Sequence, residues 1–267
     1  MENTTPQITA IIPNYRTLEL TRLCLRLLAK HSDLRRLQVI VVDNHSQDGS
    51  LDYLRKLKWI RLIERTDTGN ESGPEMHGAA LDLALSQVDT PFTLVMHTDT
   101  LVIDDHWLDF LLGQFTNDRV AGVGSWKLEA PPSVFKRAGQ AVERLIRRCL
   151  RRPEKTVPRY LRSHCAVYRT ELLKKHTLGF RHGRSAGESA HLMLAEAGFE
   201  LKFIPSEVLG KYIRHLNHAT MILNPRAGDR KTAKPKARKQ LARKLGIPDF
   251  FAVLNDESLD QIEKPRI

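Results

Sequence analysis

The strongest constraint on this chain is an alternation. Between residues 8 and 125, short runs of branched apolar residues take turns with stretches whose apolar residues recur at helical spacing. ITAII reads as a strand that ends at Pro13. Thr17 then stands where a cap belongs, ahead of LELTRLCLRLLAKH, in which Leu20, Leu23, Leu27 and Leu28 share one stripe. LQVIVVD is apolar on successive residues, as in a strand covered on both faces. Ser50 opens a short helix, KWIRLIE gives a strand and GAALDLALSQV a helix. TPFTLVMH follows as a strand, then a helix through IDDHWLDFLLGQF and a strand through RVAGVGS. This order predicts an α/β fold: a mostly parallel, Rossmann-like sheet with right-handed crossovers and helices on both faces.

The second half is less regular. A basic helical pattern over 133–152 leads to a strand at SHCAVYR and a helix at TELLKKH. After it come a helix through GESAHLMLAEAG, a strand through FELKFIP and a further strand through VLGKYIRH. The expected division is a domain over 1–225, with a nucleotide-binding half at about 7–125 and an acceptor half at about 126–225, followed by a basic C-terminal extension over 226–267.

Parallel α/β sheets bind ligands beyond the carboxyl ends of their strands. Asn14–Tyr15, Asp43–Gly49 and His97–Asp99 each follow a strand directly, so they are expected along one rim. Asp43 is an acceptor-only carboxylate suited to a nucleobase imide or a ribose hydroxyl. Asp48, Gly49 and Ser50 fit turn and helix-cap chemistry as well as ligand binding. Asp99, just past an apolar strand, suits a divalent cation that bridges a diphosphate.

Taken together, these segments resemble the family-2-type glycosyltransferases with the GT-A fold, in particular a bacterial rhamnosyltransferase-like group. The shared features run in order over roughly residues 7–220: Ile12-Pro13-Asn14-Tyr15, then VVDNHSQDGS, then His97-Thr98-Asp99, then GESAHLMLAEAGFELKFIP, then IRHLNHAT with His215 and His218. The resemblance implies a GT-A-like fold and inverting transfer of a sugar from a nucleoside diphosphate sugar to a hydroxyl of a glycan or lipid-linked acceptor, in bacterial surface polysaccharide assembly. It implies that Pro13, Tyr15 and Asp43 hold the nucleoside, with His77 and His97 near the donor phosphates or sugar. Asp99, with His215, would hold Mg2+ or Mn2+. Two positions depart from the pattern. His97 replaces a first acidic residue, and imidazole suits Mn2+ better than Mg2+. Where the family has a Glu-Asp pair, this chain has Glu188-Ser189, which leaves Glu188 as the expected base. His191, one turn on, is a substitute with a usable pKa or simply a helix-surface histidine.

Charge narrows the partners. The chain carries a net charge of +11, concentrated in residues 136–162 and 226–244. Over 133–152 Val134, Ala138, Val142, Leu145, Ile146 and Cys149 form a stripe ringed by arginine and lysine. That pattern suits an anionic membrane surface or a packed helix with a solvated basic face. A basic nucleic-acid-binding protein is a rival reading, but the chain has no zinc spacing and no aromatic RNA-binding motif, so nucleic acid is set aside as a partner. A sugar-nucleotide-binding protein that has lost catalysis is the other alternative. No apolar run approaches the ~20 residues of a membrane span, no signal segment is visible at the amino terminus, and Cys24, Cys149 and Cys165 have no metal or redox spacing. The expected location is the cytoplasm, including a peripheral place on the inner face of the membrane.

Overall fold

In the computed structural model, residues 6–126 (except 67 and 70), 128, 159–216 (except 183 and 184), 219, 239, 243 and 248–263 are described. The basic pattern over 133–152, Cys149 and His218 lie outside them, as does the basic stretch over 226–244 apart from Lys239 and Arg243. Seven strands form one sheet: β1 (Ile8–Asn14), β2 (Leu37–Asp43), β3 (Arg61–Glu64), β4 (Phe92–Met96), β6 (Val120–Gly124), β7 (Cys165–Arg169) and β8 (Glu200–Phe203), in the order β3-β2-β1-β4-β7-β6-β8. β1 pairs in parallel with β2 and β4, β2 with β3, and β6 with β8; β7 alone runs against its neighbours β4 and β6. This is the expected mostly parallel α/β sheet of the GT-A type.

The strands are apolar on both faces because helices cover both. Ile8, Ala10, Ile12, Val39, Val41, Leu94 and Met96 face one core, with α1 (Leu18–Lys30), α2 (Ser50–Leu54) and α4 (Trp107–Leu112). Ile11, Ile40, Val42 and Val95 face the other, against α3 (Gly73–Leu85), α5 (Thr170–His176) and α6 (Glu188–Glu196). The period-two alternation of strand side chains divides the residues between the two layers.

Two segments differ from the sequence expectation. Thr100–Val102, read as the approach to a helix, is a short strand β5 that pairs antiparallel with β9 (Ile213–His215) in a second, two-stranded sheet. VLGKYIRH is not one strand. Its first part belongs to a helical turn, α7 (Ser206–Leu209), and only Ile213–His215 is extended. Leu209 and Ile213 are buried while Lys211 midway between them is exposed, which breaks strand alternation.

The last described segment closes over α1. Helix α8 (Pro248–Asn255) adds Phe250 and Val253 to the first core, and a 3-10 turn (Glu257–Asp260) follows. Arg26, on α1 and 2% exposed, donates to both oxygens of Asp260 and to the carbonyls of Val253 and Leu254. The Tyr53 hydroxyl donates to the same carboxylate at 2.9 Å. An arginine this buried needs every one of these acceptors. Cys24 and Cys165 are buried and free.

Arg26→Ala leaves two carbonyls without this donor and Asp260 with only the Tyr53 hydroxyl. It is expected to cost about 3 kcal/mol, in the range of broken buried ion pairs, read as a lowered urea midpoint. An unchanged midpoint would show that α8 does not depend on this contact.

Candidate active site

The rim at the strand ends is built first by hydrogen bonds within the protein. Asp43, 1% exposed at the end of β2, accepts from Asn14 Nδ2 at 2.6 Å, from the Ser46 hydroxyl at 2.5 Å and from the Ser46 N–H at 3.0 Å. Its carboxylate ties the ends of β1 and β2 to the loop between β2 and α2. Asp48 does the capping that the sequence assigned to Thr17: one oxygen accepts from Leu18 N–H at the start of α1, the other from Ser50 N–H at the start of α2. Thr17 holds the cap position, but its side chain makes no capping bond. Gly49 sits at φ +84°, where a side chain is strained, and this lets α2 begin at once. The same rim holds Arg16, His45 and Gln47 at positive φ, three non-glycine residues kept in a conformation that costs free energy.

Pro13 is buried in β1, beyond the last β1–β4 pair, Ile11–Val95. It sets the course of the chain into Asn14 and Tyr15, and its missing N–H falls outside that ladder. Tyr15 is half-buried, with the Arg16 guanidinium 5.1 Å from its ring centre.

The second part of the site is the crossing at His97-Thr98-Asp99, where the chain leaves the large sheet for the small one. Antiparallel pairing of Met96 with Cys165 brings Ser163 and His164 opposite this crossing. Pairing of Thr100 with His215 brings in β9. Asp99 is 3% exposed; its Oδ2 accepts from Ala219 N–H at 3.1 Å, and its backbone carbonyl accepts from Leu216 N–H at 2.9 Å. Asp99 Oδ1 lies 3.2 Å from His215 Nε2 and 3.7 Å from His97 Nδ1. Burial works against its charge, but His215, His97 and the Ala219 N–H more than compensate and hold the carboxyl below its usual range.

Four more contacts shape the imidazoles. His97 Nε2 is 3.0 Å from the Ser163 hydroxyl. Donation from Nε2 to Ser163, inferred from the network, leaves Nδ1 bare toward Asp99. His164 lies stacked on His215, with ring centres 4.7 Å apart, and its Nε2 is 2.9 Å from the Ser125 hydroxyl. His77, on α3, packs edge-on against His97 at 4.7 Å. Burial lowers all three: His77 is pushed down to about 4 and His164 to about 3, while His97 falls well below its ordinary value, helped by the charge of His77. At neutral pH these three rings are therefore neutral and have lone pairs to offer.

His97, Asp99 and His215 place one ligand atom each within 4.8 Å of one another. The fit to a divalent cation rests on orphaned atoms: Asp99 Oδ1 and His215 Nε2 are both buried, and neither makes a hydrogen bond among the described residues. Their 3.2 Å separation suits two neighbouring ligands of one ion at bond lengths of about 2.1 Å. Two imidazole nitrogens and one carboxylate oxygen are donors that a divalent metal ion accepts.

The third part is α6. Gly187, at φ +90°, precedes Glu188, and a Cβ there would stand 2.9 Å from the Leu161 carbonyl. Glycine thus lets the start of the helix press against the segment from Tyr160 to His164. Glu188 is 9% exposed at the first helical position. His191 is not the surface histidine or the free base of the sequence reading. It is 7% exposed, its Nδ1 accepts from Leu161 N–H at 3.3 Å, and its ring lies 5.4 Å from that of Phe203. A nitrogen engaged in this way supports the 160–164 segment.

The sequence did not single out Ser163, His164 or Ser125. SHCAVYR was recognised as a strand, but only its antiparallel pairing with β4 brings its first residues beside His97, and a single sequence carries no pairing. Asn14 was visible as a rim residue; its bond to Asp43 was not.

No helix among the described residues is long and apolar enough to cross a membrane. The sequence matches the model of glycosyl transferase family 2 over residues 9–177. No curated protein matches it in sequence. Among solved structures, the mannosyltransferase PcManGT from Pyrobaculum calidifontis, in complex with GDP-Man and Mn2+, is similar with a TM-score of 0.55 and 16% identity, over 96% of this chain and 85% of that one. TarS 1-349 of S. aureus gives a TM-score of 0.52 and 17% identity, over 96% and 83%. Glucosyl-3-phosphoglycerate synthase from Mycobacterium tuberculosis, in complex with Mn2+, UDP and phosphoglyceric acid, gives 0.51 and 15%, over 91% and 80%. At these identities the likeness is one of fold.

Asp43→Ala removes the acceptor of three buried donors. It is expected to destabilise the protein by about 3 kcal/mol, seen as a lower melting temperature, and to weaken any ligand held on this rim. A variant as stable as the parent would mean that the loop holds itself.

Proposed function

The chain belongs to glycosyl transferase family 2, and from that premise we propose that it is an inverting enzyme that moves a sugar from a nucleoside diphosphate sugar to an acceptor hydroxyl. The observation that carries this reading is the convergence of His97, Asp99 and His215 beside the rim formed by Asn14, Tyr15 and the Asp43 loop. A nucleoside lies on the rim, against Tyr15 and over the strand ends that Pro13 and Asp43 shape. The diphosphate then reaches the crossing, where His97, Asp99 and His215 hold a divalent cation, Mn2+ better than Mg2+. When bound, the cation offsets the negative charge that grows on the departing diphosphate. His77, neutral and packed on His97, fixes that ring beside the phosphates and the sugar.

Glu188 takes the proton from the acceptor hydroxyl. It stands at the first position of α6, and with it as base the acceptor attacks the sugar opposite the leaving group. Gly187 and the Leu161–His191 bond set its position. The acceptor is a glycan or lipid-linked glycan, and the setting is surface polysaccharide assembly at the inner face of a bacterial membrane. The basic stretches support this part of the reading, because each lysine or arginine near an anionic surface adds up to ~1 kcal/mol of attraction.

Calorimetric titration of UDP, dTDP, GDP and CDP, with and without Mn2+, tests the proposal. One nucleotide is expected to bind tightly only with Mn2+, and Asp99→Ala is expected to abolish that dependence. Glu188→Gln should bind the same nucleotide unchanged and lose about 100- to 10,000-fold in turnover with a matched donor and acceptor. Binding of none of the four, or metal-independent binding indifferent to Asp99, would overturn the reading.

A further inference from the structure

Between the crossing and Glu188 lies a guanidinium with no assigned role. Arg162 is half-buried, and its central carbon lies 5.4 Å from the ring centres of both Trp126 and Tyr160. Those two rings meet edge-on at 4.9 Å. Arg162 Nη1 donates to the Tyr160 hydroxyl at 2.8 Å, and the Ser185 hydroxyl donates to the same oxygen at 2.5 Å. The Arg162 N–H also donates to the Ser125 carbonyl. The side chain is thus held by two aromatic faces and one phenol, and among the described residues no carboxylate pairs with it. Its charge is close enough to help keep His164 neutral.

Placement gives this charge a use. Arg162 is next to Ser163, which touches His97, while Tyr160 reaches Ser185, three residues before Glu188. The group therefore sits on the Glu188 side of the crossing, away from the rim at Asn14 and Asp43. The two aromatic contacts hold the guanidinium and the Tyr160 hydroxyl takes one Nη1 N–H, while its other N–H groups keep a fork geometry that fits a phosphate or carboxylate. We propose that Arg162, braced by Trp126 and Tyr160, binds an acidic group of the acceptor and so selects acceptors that carry a phosphate or carboxylate near the reacting hydroxyl. The proposal rests on the glycosyltransferase reading and adds the acceptor's chemical class to it.

The test uses the full chain saturated with Mn2+ and the nucleoside diphosphate it binds. Three small probes are titrated calorimetrically: glycerol 3-phosphate, glycerate and glycerol. At least one anion is expected to bind and glycerol not to, and the tighter anion tells phosphate from carboxylate. Arg162→Gln should weaken that anion roughly 10- to 100-fold and leave nucleotide affinity in place. Arg162→Lys should recover only part of the loss, because it restores the charge without the fork. Trp126→Leu, which keeps the charge and removes a brace, should weaken the anion several-fold. If neither anion binds the parent, or both bind Arg162→Gln as well as the parent, the proposal is overturned while the nucleotide result stands. If the parent binds no nucleoside diphosphate, the glycosyltransferase reading itself has failed.

Discussion

Everything in the site depends on how the chain crosses from the large sheet to the small one at His97-Thr98-Asp99. A buried carboxylate is costly unless its lone pairs are used. Asp99 uses them on the Ala219 N–H and on the neighbourhood of two imidazoles. The crossing is fixed from both sides, by β7 beside His97 and by β9 beside Thr100. His97 and Asp99 are thereby placed with the distant His215 within reach of one ion, and among the described residues two of their atoms remain without a hydrogen bond. That is a poor arrangement for stability alone and a good one for a ligand.

The rim next to it follows a different rule. Asp43, Asn14 and Ser46 satisfy one another almost completely, so the polar loop after β2 is rigid before any ligand arrives. The positive-φ residues Arg16, His45 and Gln47 show that this rigidity carries strain. The site thus combines a satisfied loop at the strand ends with an unsatisfied cluster at the crossing. Such a difference suits a donor whose base needs shape and whose phosphates need charge.

Much of the fold was legible because its strands are short, apolar and separated by helices of clear period. The runs at 8–14, 37–43 and 92–96 left little choice but strands covered on both faces. The motifs at Asp43, Asp99 and Glu188 were legible as residue types after strands or at a helix start. What the sequence hid depends on non-local pairing. β7 runs against its neighbours, and only that direction brings Ser163 and His164 to His97. β5 has three residues, too few for a period, and it exists because β9 returns from more than a hundred positions away. His191 reads as a helix-surface histidine by its polarity, yet it is buried with Ala190 and Leu194 and accepts from Leu161 N–H.

The central claim is that His97, Asp99 and His215 hold a cation against the diphosphate of a nucleotide on the adjacent rim. Phosphorus-31 resonance of a bound nucleoside diphosphate, with substoichiometric Mn2+ added, tests it most directly. The account predicts strong broadening of both phosphorus signals in the parent protein and its loss in Asp99→Ala and His215→Ala. Broadening that persists in both variants, or nucleotide signals that stay sharp in the parent while Mn2+ is bound elsewhere, would contradict it.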